Sequence, residues 1–194
     1  MLDTSRRTAF DEQHDMFRES VRKFFEAEGK PHLDRWEEEG LVEQAFWLKA
    51  GEAGLLCPTV PEAYGGLGLD FRFNAVVAEE MAYAMVPAGF TLQSDIIVDY
   101  LLNYGSEAQK QKYLPRMVTG ELITAIAMTE PGAGSDLQGV RTTALKDGDS
   151  YVINGSKTYI TNGQTADLII VVAKTDPSQG AKGVSLLLVE SDAE

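Results

Sequence analysis

Cysteine and histidine are scarce in this sequence. Cys57 is the single cysteine, so no internal disulfide can form and a reducing compartment is expected. Together with His14 and His32, the two histidines, it offers too few ligands for a typical zinc site. Both histidines lie among charged residues of predicted helices and are predicted to be solvated. Cys57, between Leu56 and Pro58, is predicted to be a small core residue.

Positive charge and long apolar runs are also scarce. The 194 residues include 17 Lys and Arg against 30 Asp and Glu, and the net charge of −13 disfavours binding to nucleic acid or to an anionic membrane. The longest apolar run, Leu168 to Ala173, is far shorter than the ~20 residues of a membrane-spanning helix. No secretory signal or transit peptide is visible in the opening segment, MLDTSRRTAF. We therefore expect a cytoplasmic protein, or one of the mitochondrial matrix if the source is eukaryotic.

Several catalytic motifs are missing. The sequence has no Gly-x-Ser-x-Gly nucleophile elbow, no P-loop and no Gly-x-Gly-x-x-Gly dinucleotide fingerprint. Ser20-x-x-Lys23 has the spacing of a serine–lysine nucleophile pair, but it lies on the polar face of a predicted helix and is interpreted as a chance match. The informative features are therefore the apolar patterning and one glycine-rich segment.

The first two thirds of the chain has the pattern of a helical domain. Near the start, apolar residues recur at helical spacing between charged ones, as in an amphipathic helix, at Phe10, Phe17, Val21, Phe24 and Phe25. Further helices are predicted over residues 42–53, 73–85, 92–103 and 106–117. Ser106-x-x-Gln109 has the form of a capping box at the start of the last of these, and Pro115 lies inside it.

The pattern changes near Leu122 to that of a β domain. Short apolar and β-branched runs predict strands over residues 122–128, 141–146, 150–153, 156–161, 168–173 and 184–189. Asp147-Gly148 and Asn154-Gly155 favour tight hairpins between such strands. The last two runs are almost continuously apolar, so both of their faces are expected to be covered. The sequence thus predicts an α+β fold, with a helical domain over residues 1–123 and a β domain over residues 124–194.

One glycine-rich segment follows the first predicted strand, Ala127-Met-Thr-Glu-Pro-Gly-Ala-Gly-Ser-Asp136. Because glycine lacks a Cβ, such a loop is able to present successive backbone N–H groups to an anion. Ser135 and Asp136 would add a hydroxyl and a carboxylate. A simple turn at the end of a strand explains the same residues equally well.

The segment AMTEPGAGSD also resembles the signature of the acyl-CoA dehydrogenase family. Residues 151–163, YVINGSKTYITNG, are similar to the second flavin-binding segment of that family, at the expected distance. The likeness extends upstream through GSEAQKQKYLPRMVTGELITAIAMTEP and GLLCPTVPEAYGGLGLD, so it covers nearly the whole chain in order, and it is nearest to the long-chain members. It implies an N-terminal all-helical domain, a small antiparallel β-barrel-like domain, and a C-terminal helical bundle expected beyond Glu194.

The resemblance implies binding residues for FAD and for an acyl-CoA. Thr129 would hydrogen-bond the pyrimidine side of the flavin, Thr161 would hydrogen-bond near flavin N5, and Tyr159 would pack on the ring, where many members have tryptophan. The implied FAD-binding residues are Ile126, Met128, Thr129, Gly134, Ser135, Tyr159, Ile160 and Thr161. The implied substrate-binding residues are Ser135, Ala181 and Lys182, with Leu92, Ile96 and Ile97 as candidates for the acyl pocket.

These assignments have plainer alternatives. Tyr159 and Ile160 also fit the alternation of a strand in a core. Lys182 also fits a solvated loop lysine, and residues 92–97 fit ordinary helix core.

The resemblance implies α,β-dehydrogenation of a fatty acyl-CoA thioester to the trans-2-enoyl-CoA. A glutamate removes the Cα proton while the Cβ hydride moves to FAD. That base is expected beyond Glu194, so none is assigned within the chain, which alone is expected to be inactive; Glu130 is given a structural role. An electron-transfer flavoprotein is the implied electron acceptor, and a homo-oligomer, dimer or tetramer, is implied for the complete protein.

Two other functions remain open at this point. One is a related flavoenzyme, such as an acyl-CoA oxidase or a nitroalkane oxidase. The other is a non-catalytic subunit that contributes half of an FAD or CoA site to a larger partner.

Overall fold

A computed structural model describes residues 8–193 of the chain. The chain divides into two compact units, with the division between Leu122 and Ile123. The first unit is helical and the second holds a five-stranded sheet. The predicted α+β class, with helices first and strands after them, is confirmed. No helix in this described range is both long and apolar enough to cross a membrane.

The α-helices of the first unit are joined by short 3-10 and π-helical turns. Two of these turns are π-helical, at Phe25–Gly29 and Leu92–Ile97. The helices are α1 (Glu12–Phe24), α2 (Leu33–Glu39), α3 (Gln44–Glu52), α4 (Phe71–Ala84), α5 (Val98–Tyr104) and α6 (Glu107–Thr119).

An aromatic cluster forms the core of the helical unit. Phe46 and Phe90 stack with ring centroids 5.6 Å apart, and Trp47 meets Phe90 edge-on at 4.7 Å. Cys57 is fully buried, which confirms it as a core residue, and burial raises the pKa of its thiol to about 12. Its environment is therefore that of an inert thiol.

The prediction that His14 is solvated is wrong. His14 is fully buried, with its ring centroid 4.4 Å from that of Phe73 in α4. Its Nδ1 lies 2.8 Å from the Asp11 carboxylate, at the start of α1. The charged residues beside His14 in the sequence favoured a solvated position. Phe73, which packs against it, comes from a distant part of the chain. His32 is half-buried beside Trp36.

Helix α6 begins and ends as its sequence predicts. The Ser106 hydroxyl accepts a hydrogen bond from the Gln109 N–H at 3.3 Å, and the Gln109 side chain accepts from the Ser106 N–H at 2.8 Å, so the capping box is confirmed. Pro115 lies inside the helix, as predicted. The end of α6 packs so closely on α3 that a Cβ on Gly51 would lie 2.2 Å from the Thr119 carbonyl oxygen. Glycine is therefore required at this helix crossing.

The sheet of the second unit is mixed and open. Its strands are β1 (Thr124–Ala127), β2 (Thr143–Asp147), β3 (Ser150–Asn154), β4 (Leu168–Lys174) and β5 (Val184–Glu190). Strand β4 pairs parallel with β1 over its first half and with β2 at Lys174, and antiparallel with β5 over its whole length. Strands β2 and β3 form an antiparallel hairpin.

This topology differs from the expected antiparallel, barrel-like sheet. The small β domain itself is present, but β1 and β2 both run parallel to β4 and the sheet does not close. The expectation that both late apolar strands are covered on both faces is wrong for β5, where Leu186 is 44% exposed. In β4, Leu168 and Ile170 are buried.

The predicted strand over residues 156–161 is also wrong. This segment is irregular, and Tyr159 within it has a positive φ of 57°, which a regular strand does not allow. Asn154-Gly155 accordingly does not form a hairpin, since no strand follows it. A hairpin at Asp147-Gly148 is confirmed, but its turn lies one residue later than predicted. Asp147 ends β2 and pairs with Ser150, so the turn residues are Gly148, with a positive φ of 60°, and Asp149.

Candidate functional site

The carboxyl end of β1 carries the first part of the candidate site. Ile126 is buried in the strand and pairs with Ile170 of β4. Met128 and Thr129 follow the strand and are half-buried. The Lys157 ammonium donates to the Met128 carbonyl oxygen at 2.9 Å, and the Thr158 N–H donates to the Thr129 carbonyl oxygen at 3.0 Å. The end of β1 is therefore fixed against the irregular segment 156–161.

Glu130 is buried and fully engaged. Its carboxylate accepts hydrogen bonds from the Arg141 N–H at 2.7 Å, the Thr142 N–H at 2.9 Å and the Lys157 ammonium at 2.9 Å. Burial alone would raise the pKa of Glu130, but hydrogen bonds from Thr142, Arg141 and Lys157 outweigh it and lower the pKa to about 2. A carboxylate held in this way is a structural anion, in agreement with its predicted role.

The glycine-rich loop opens directly after Glu130. Glu130 and Ala133 exchange backbone hydrogen bonds of 2.8 and 3.1 Å and close a tight turn. A Cβ added at Gly134 would meet nothing within 4 Å, and Ser135 is exposed. Asp136 does not present its carboxylate freely, because it accepts from the Gln138 N–H at 3.1 Å and caps a 3-10 turn. An anion therefore has access to Gly134 and Ser135.

Segment 159–163 forms a turn anchored on β1. Tyr159 is 93% exposed, so the alternative of an alternating core strand is excluded for it. Asn162 has a φ of 62°, and its side-chain amide donates to the Thr124 carbonyl oxygen at 3.0 Å. The Gly163 N–H donates to the Ile160 carbonyl oxygen at 2.9 Å. Thr161 is exposed, two residues after Tyr159 in sequence.

The structure brings some of the predicted site residues together and leaves others apart. Met128 and Thr129 lie against the segment that carries Tyr159, Ile160 and Thr161. Ala181 and Lys182 are exposed in a separate element, the 3-10 stretch Pro177–Gly183. In the helical unit, Leu92 is half-buried, Ile96 is 43% exposed and Ile97 is core.

Lys157 and Asn162 were missed as contributors to this site. Lys157 lies between the polar residues Ser156 and Thr158, so the local sequence gives no sign of its burial, and its carboxylate partner, Glu130, is distant in sequence. The left-handed backbone of Asn162 is a recognisable signal, because Asn precedes Gly here and tolerates positive φ.

The exposed groups at this site suit a flat, polar heterocycle. No residue in the range 8–193 accepts a hydrogen bond from the Thr129 N–H, which leaves one fixed donor at the strand end. Tyr159 offers an aromatic ring that is open to stacking. A flavin, with acceptor atoms on one edge and a large aromatic face, fits such a donor and ring. Across the same range, no cluster of three His, Cys, Asp or Glu side chains could hold a metal ion.

Comparison with known families accounts for nearly all of the described chain. Residues 11–121 match the N-terminal domain of acyl-CoA dehydrogenase, and residues 125–194 match its middle domain. The chain belongs to the acyl-CoA dehydrogenase family. The family resemblance predicted from the motifs is thereby confirmed.

Individual members of the family are similar to this chain over nearly its whole length. The mitochondrial long-chain specific acyl-CoA dehydrogenase of Sus scrofa is 51% identical, over 98% of this chain and 45% of that protein. The crystal structure of an acyl-CoA dehydrogenase from Geobacillus kaustophilus is 54% identical with a TM-score of 0.92, over 95% of this chain and 50% of that one. A Mycobacterium smegmatis glutaryl-CoA dehydrogenase, in complex with FADH2, is 30% identical with a TM-score of 0.82, over 94% and 46%. The chain thus spans about half the length of its relatives.

Proposed function

We propose that this chain forms the flavin-facing and CoA-facing part of an acyl-CoA dehydrogenase, with residues 1–123 and 124–194 as its two domains. The proposed reaction is α,β-dehydrogenation of a fatty acyl-CoA to the trans-2-enoyl-CoA. The observation that carries the proposal is the junction of β1 with segment 157–161. It holds the fixed N–H of Thr129 and the exposed ring of Tyr159 in one unit of the fold.

The residues of the chain have distinct proposed roles around the cofactor. When bound, FAD would supply the two-electron oxidant that takes up the substrate hydride. Ile126, Met128 and Ile160 would border the ring, and Thr129 would donate a hydrogen bond to its pyrimidine side. Tyr159 would cover a face of the ring, and Thr161 would donate towards N5.

The proposed anion-binding part of the site lies in the loops. Gly134 and Ser135 would face the cofactor pyrophosphate, because the loop is open and Ser135 has an accessible hydroxyl. Ser135, Ala181 and Lys182 would contact the CoA portion of the substrate. Exposed Lys182 would contribute charge to this contact.

The catalytic base is proposed to come from outside these residues. A general base must be free to accept a proton and must lie within reach of it. Glu130 fails the first condition, because three donors occupy its carboxylate and its pKa is lowered to about 2. We propose that the chain by itself positions the flavin and the thioester without abstracting the Cα proton.

A relative supports the proposed substrate class, and the proposed partners come from the family resemblance. Identity of 51% to a long-chain specific enzyme supports a long-chain acyl-CoA as substrate. An electron-transfer flavoprotein is the proposed acceptor, and a homo-oligomer, dimer or tetramer, is proposed for the complete protein. The name of the same relative supports the mitochondrial matrix as the compartment if the source is eukaryotic, and the cytoplasm otherwise.

Visible absorbance tests this proposal. The chain is saturated with FAD, dialysed, and mixed anaerobically with a saturated long-chain acyl-CoA. Retention of flavin without bleaching is the expected result, and bleaching would show that the chain itself holds a base. Loss of all flavin on dialysis would contradict the assignment of the FAD site to this chain. If bleaching occurs, rapid reoxidation of the reduced flavin by oxygen would favour an acyl-CoA oxidase.

A further inference from the structure

Lys157 is a largely buried cation with two partners in the segment that follows β1, Met128 and Glu130. Its side chain is 11% exposed and that of Glu130 is 6% exposed. The ammonium lies 2.9 Å from the Glu130 carboxylate and 2.9 Å from the Met128 carbonyl oxygen. Burying a lysine is costly, and an apolar side chain of similar volume is often as stable in such a place. A role in geometry is therefore a better account of Lys157 than a role in stability.

Lys157 and its neighbour Thr158 fix both peptide groups around Thr129. The ammonium holds the Met128 carbonyl oxygen, and the Thr158 N–H holds the Thr129 carbonyl oxygen at 3.0 Å. Because a trans peptide is planar, its C=O and N–H groups point in opposite directions. Holding the Met128 carbonyl towards Lys157 therefore directs the Thr129 N–H away from Lys157. This is the donor for which the described residues offer no acceptor.

The same lysine also locates the segment that follows it. Residues 158–161 belong to no strand, so no ladder of backbone hydrogen bonds holds them in register. Tyr159 additionally has a strained positive φ. The link through Lys157 to Met128 and Glu130 is thus a main restraint on where Tyr159 and Thr161 lie relative to β1.

We propose that Lys157 is a positioning residue for the flavin site. It does not touch the cofactor. It acts through the Met128–Thr129 peptide group on one side and through residues 158–161 on the other, and Glu130 holds its ammonium in place. This inference rests on the proposed function and adds to it a residue that sets the geometry of the donor and the ring.

Amide hydrogen exchange of the ligand-free chain tests the restraint itself. The variant Lys157→Met is compared with the wild type and with Lys146→Met, which removes an exposed cation from β2 of the same unit. In Lys157→Met, exchange of the Thr158 amide is expected to rise ~10-fold or more, while the Ile170 and Val172 amides of β4 keep their rates. Unchanged exchange at Thr158 would overturn the proposal, as would an equal rise at every amide of the unit.

A double variant tests the same restraint if Lys157→Met alone fails to fold. Lys157→Met leaves the Glu130 carboxylate without its cation, whereas Lys157→Met with Glu130→Gln removes both charges together. The proposal expects local loosening at Thr158 in this double variant as well, because the Met128 carbonyl is still not held. A double variant with wild-type exchange at Thr158 would overturn it.

Flavin binding separates this proposal from the proposed function. FAD is titrated into each variant and its visible circular dichroism is followed. The dissociation constant is expected to rise about 10-fold in Lys157→Met, the equivalent of one hydrogen bond, and to stay unchanged in Lys146→Met. Lys157→Arg, which keeps a cation, is expected to restore part of the affinity, and equal affinity in all variants would overturn the role of Lys157. If the wild type binds no flavin, the proposed function fails for this chain, and the exchange result alone decides whether Lys157 restrains the two segments.

Discussion

At the scale of single residues, the Glu130 carboxylate accepts hydrogen bonds from three donors in two other parts of the chain. Two are the backbone N–H groups of Arg141 and Thr142, and the third is the Lys157 ammonium. The carboxylate therefore ties the strand end to the segment before β2 and to segment 156–161. Its depressed pKa makes the free energy of unfolding depend on pH.

We predict that Glu130→Gln lowers the free energy of unfolding by about 2 kcal/mol near neutral pH. The folded-state pKa lies below its ordinary value of 4.5, so the stabilisation is present above that pH and is lost as pH falls towards about 2. Urea unfolding across this range is expected to show the wild type and variant converging at low pH. Asp149→Asn, an exposed loss of the same charge, is the control, and a gap that persists at low pH would contradict the prediction.

Tyr159 has a strained backbone and contributes little packing. It is 93% exposed at a φ of 57°, where a side chain other than glycine costs about 1–2 kcal/mol. We predict that Tyr159→Gly raises the free energy of unfolding by about 1 kcal/mol while weakening the binding of FAD. Urea unfolding and an FAD titration measure the two effects.

The matched control for Tyr159 is Tyr151→Gly. Tyr151 is half-exposed but lies in β3, opposite Lys146, where glycine is expected to destabilise the strand by about 1 kcal/mol. Loss of stability in both variants would mean that the Tyr159 ring packs on the protein.

At the scale of elements, helix termini and tight turns were predictable from the sequence because their causes are local. The capping box of α6 involves residues three apart, and the β2–β3 turn depends on Gly148 alone for its positive φ. Such features need no knowledge of the rest of the chain. The same holds for the apolar runs that became β4 and β5.

Ser106→Ala is predicted to lower the free energy of unfolding by about 1 kcal/mol, because it leaves the Gln109 N–H at the start of α6 without its acceptor. Ser20→Ala is the control. Ser20 lies within α1, where its hydroxyl donates only to the Met16 carbonyl oxygen and alanine is the better helix former. Thermal unfolding measures both, and an equal loss in the two variants would rule out capping as the cause.

Segment 156–161 shows which elements were not predictable. Its alternating residues resemble a strand, but its conformation is set by the Lys157 contacts to Met128 and Glu130 and by the Asn162 contact to Thr124. All three partners are distant in sequence. His14 was mispredicted for the same reason, since Phe73 of α4 covers it. The parallel pairing of β1 with β4 likewise depends on partners that alternation does not reveal.

On the scale of the whole molecule, helices precede strands and the candidate FAD residues fall within the β unit. The motif resemblance identified the family, and the segments it assigns to the site stay a prediction. It did not identify Lys157 as the link between Met128 and the segment that carries Tyr159. That link is visible only in the contacts of Lys157, because a motif match assigns roles to residues without showing what holds them in place.

The central claim is that residues 126–135 and 159–161 form the flavin-binding face. Amide NMR of the chain, recorded as FAD is added, tests it most directly. The account predicts saturable chemical-shift changes concentrated at Thr129, Gly134, Ser135 and Thr161, with Trp36 and Trp47 in the helical core unchanged. Shifts absent from these residues at saturating FAD, or centred on the helical core, would contradict it.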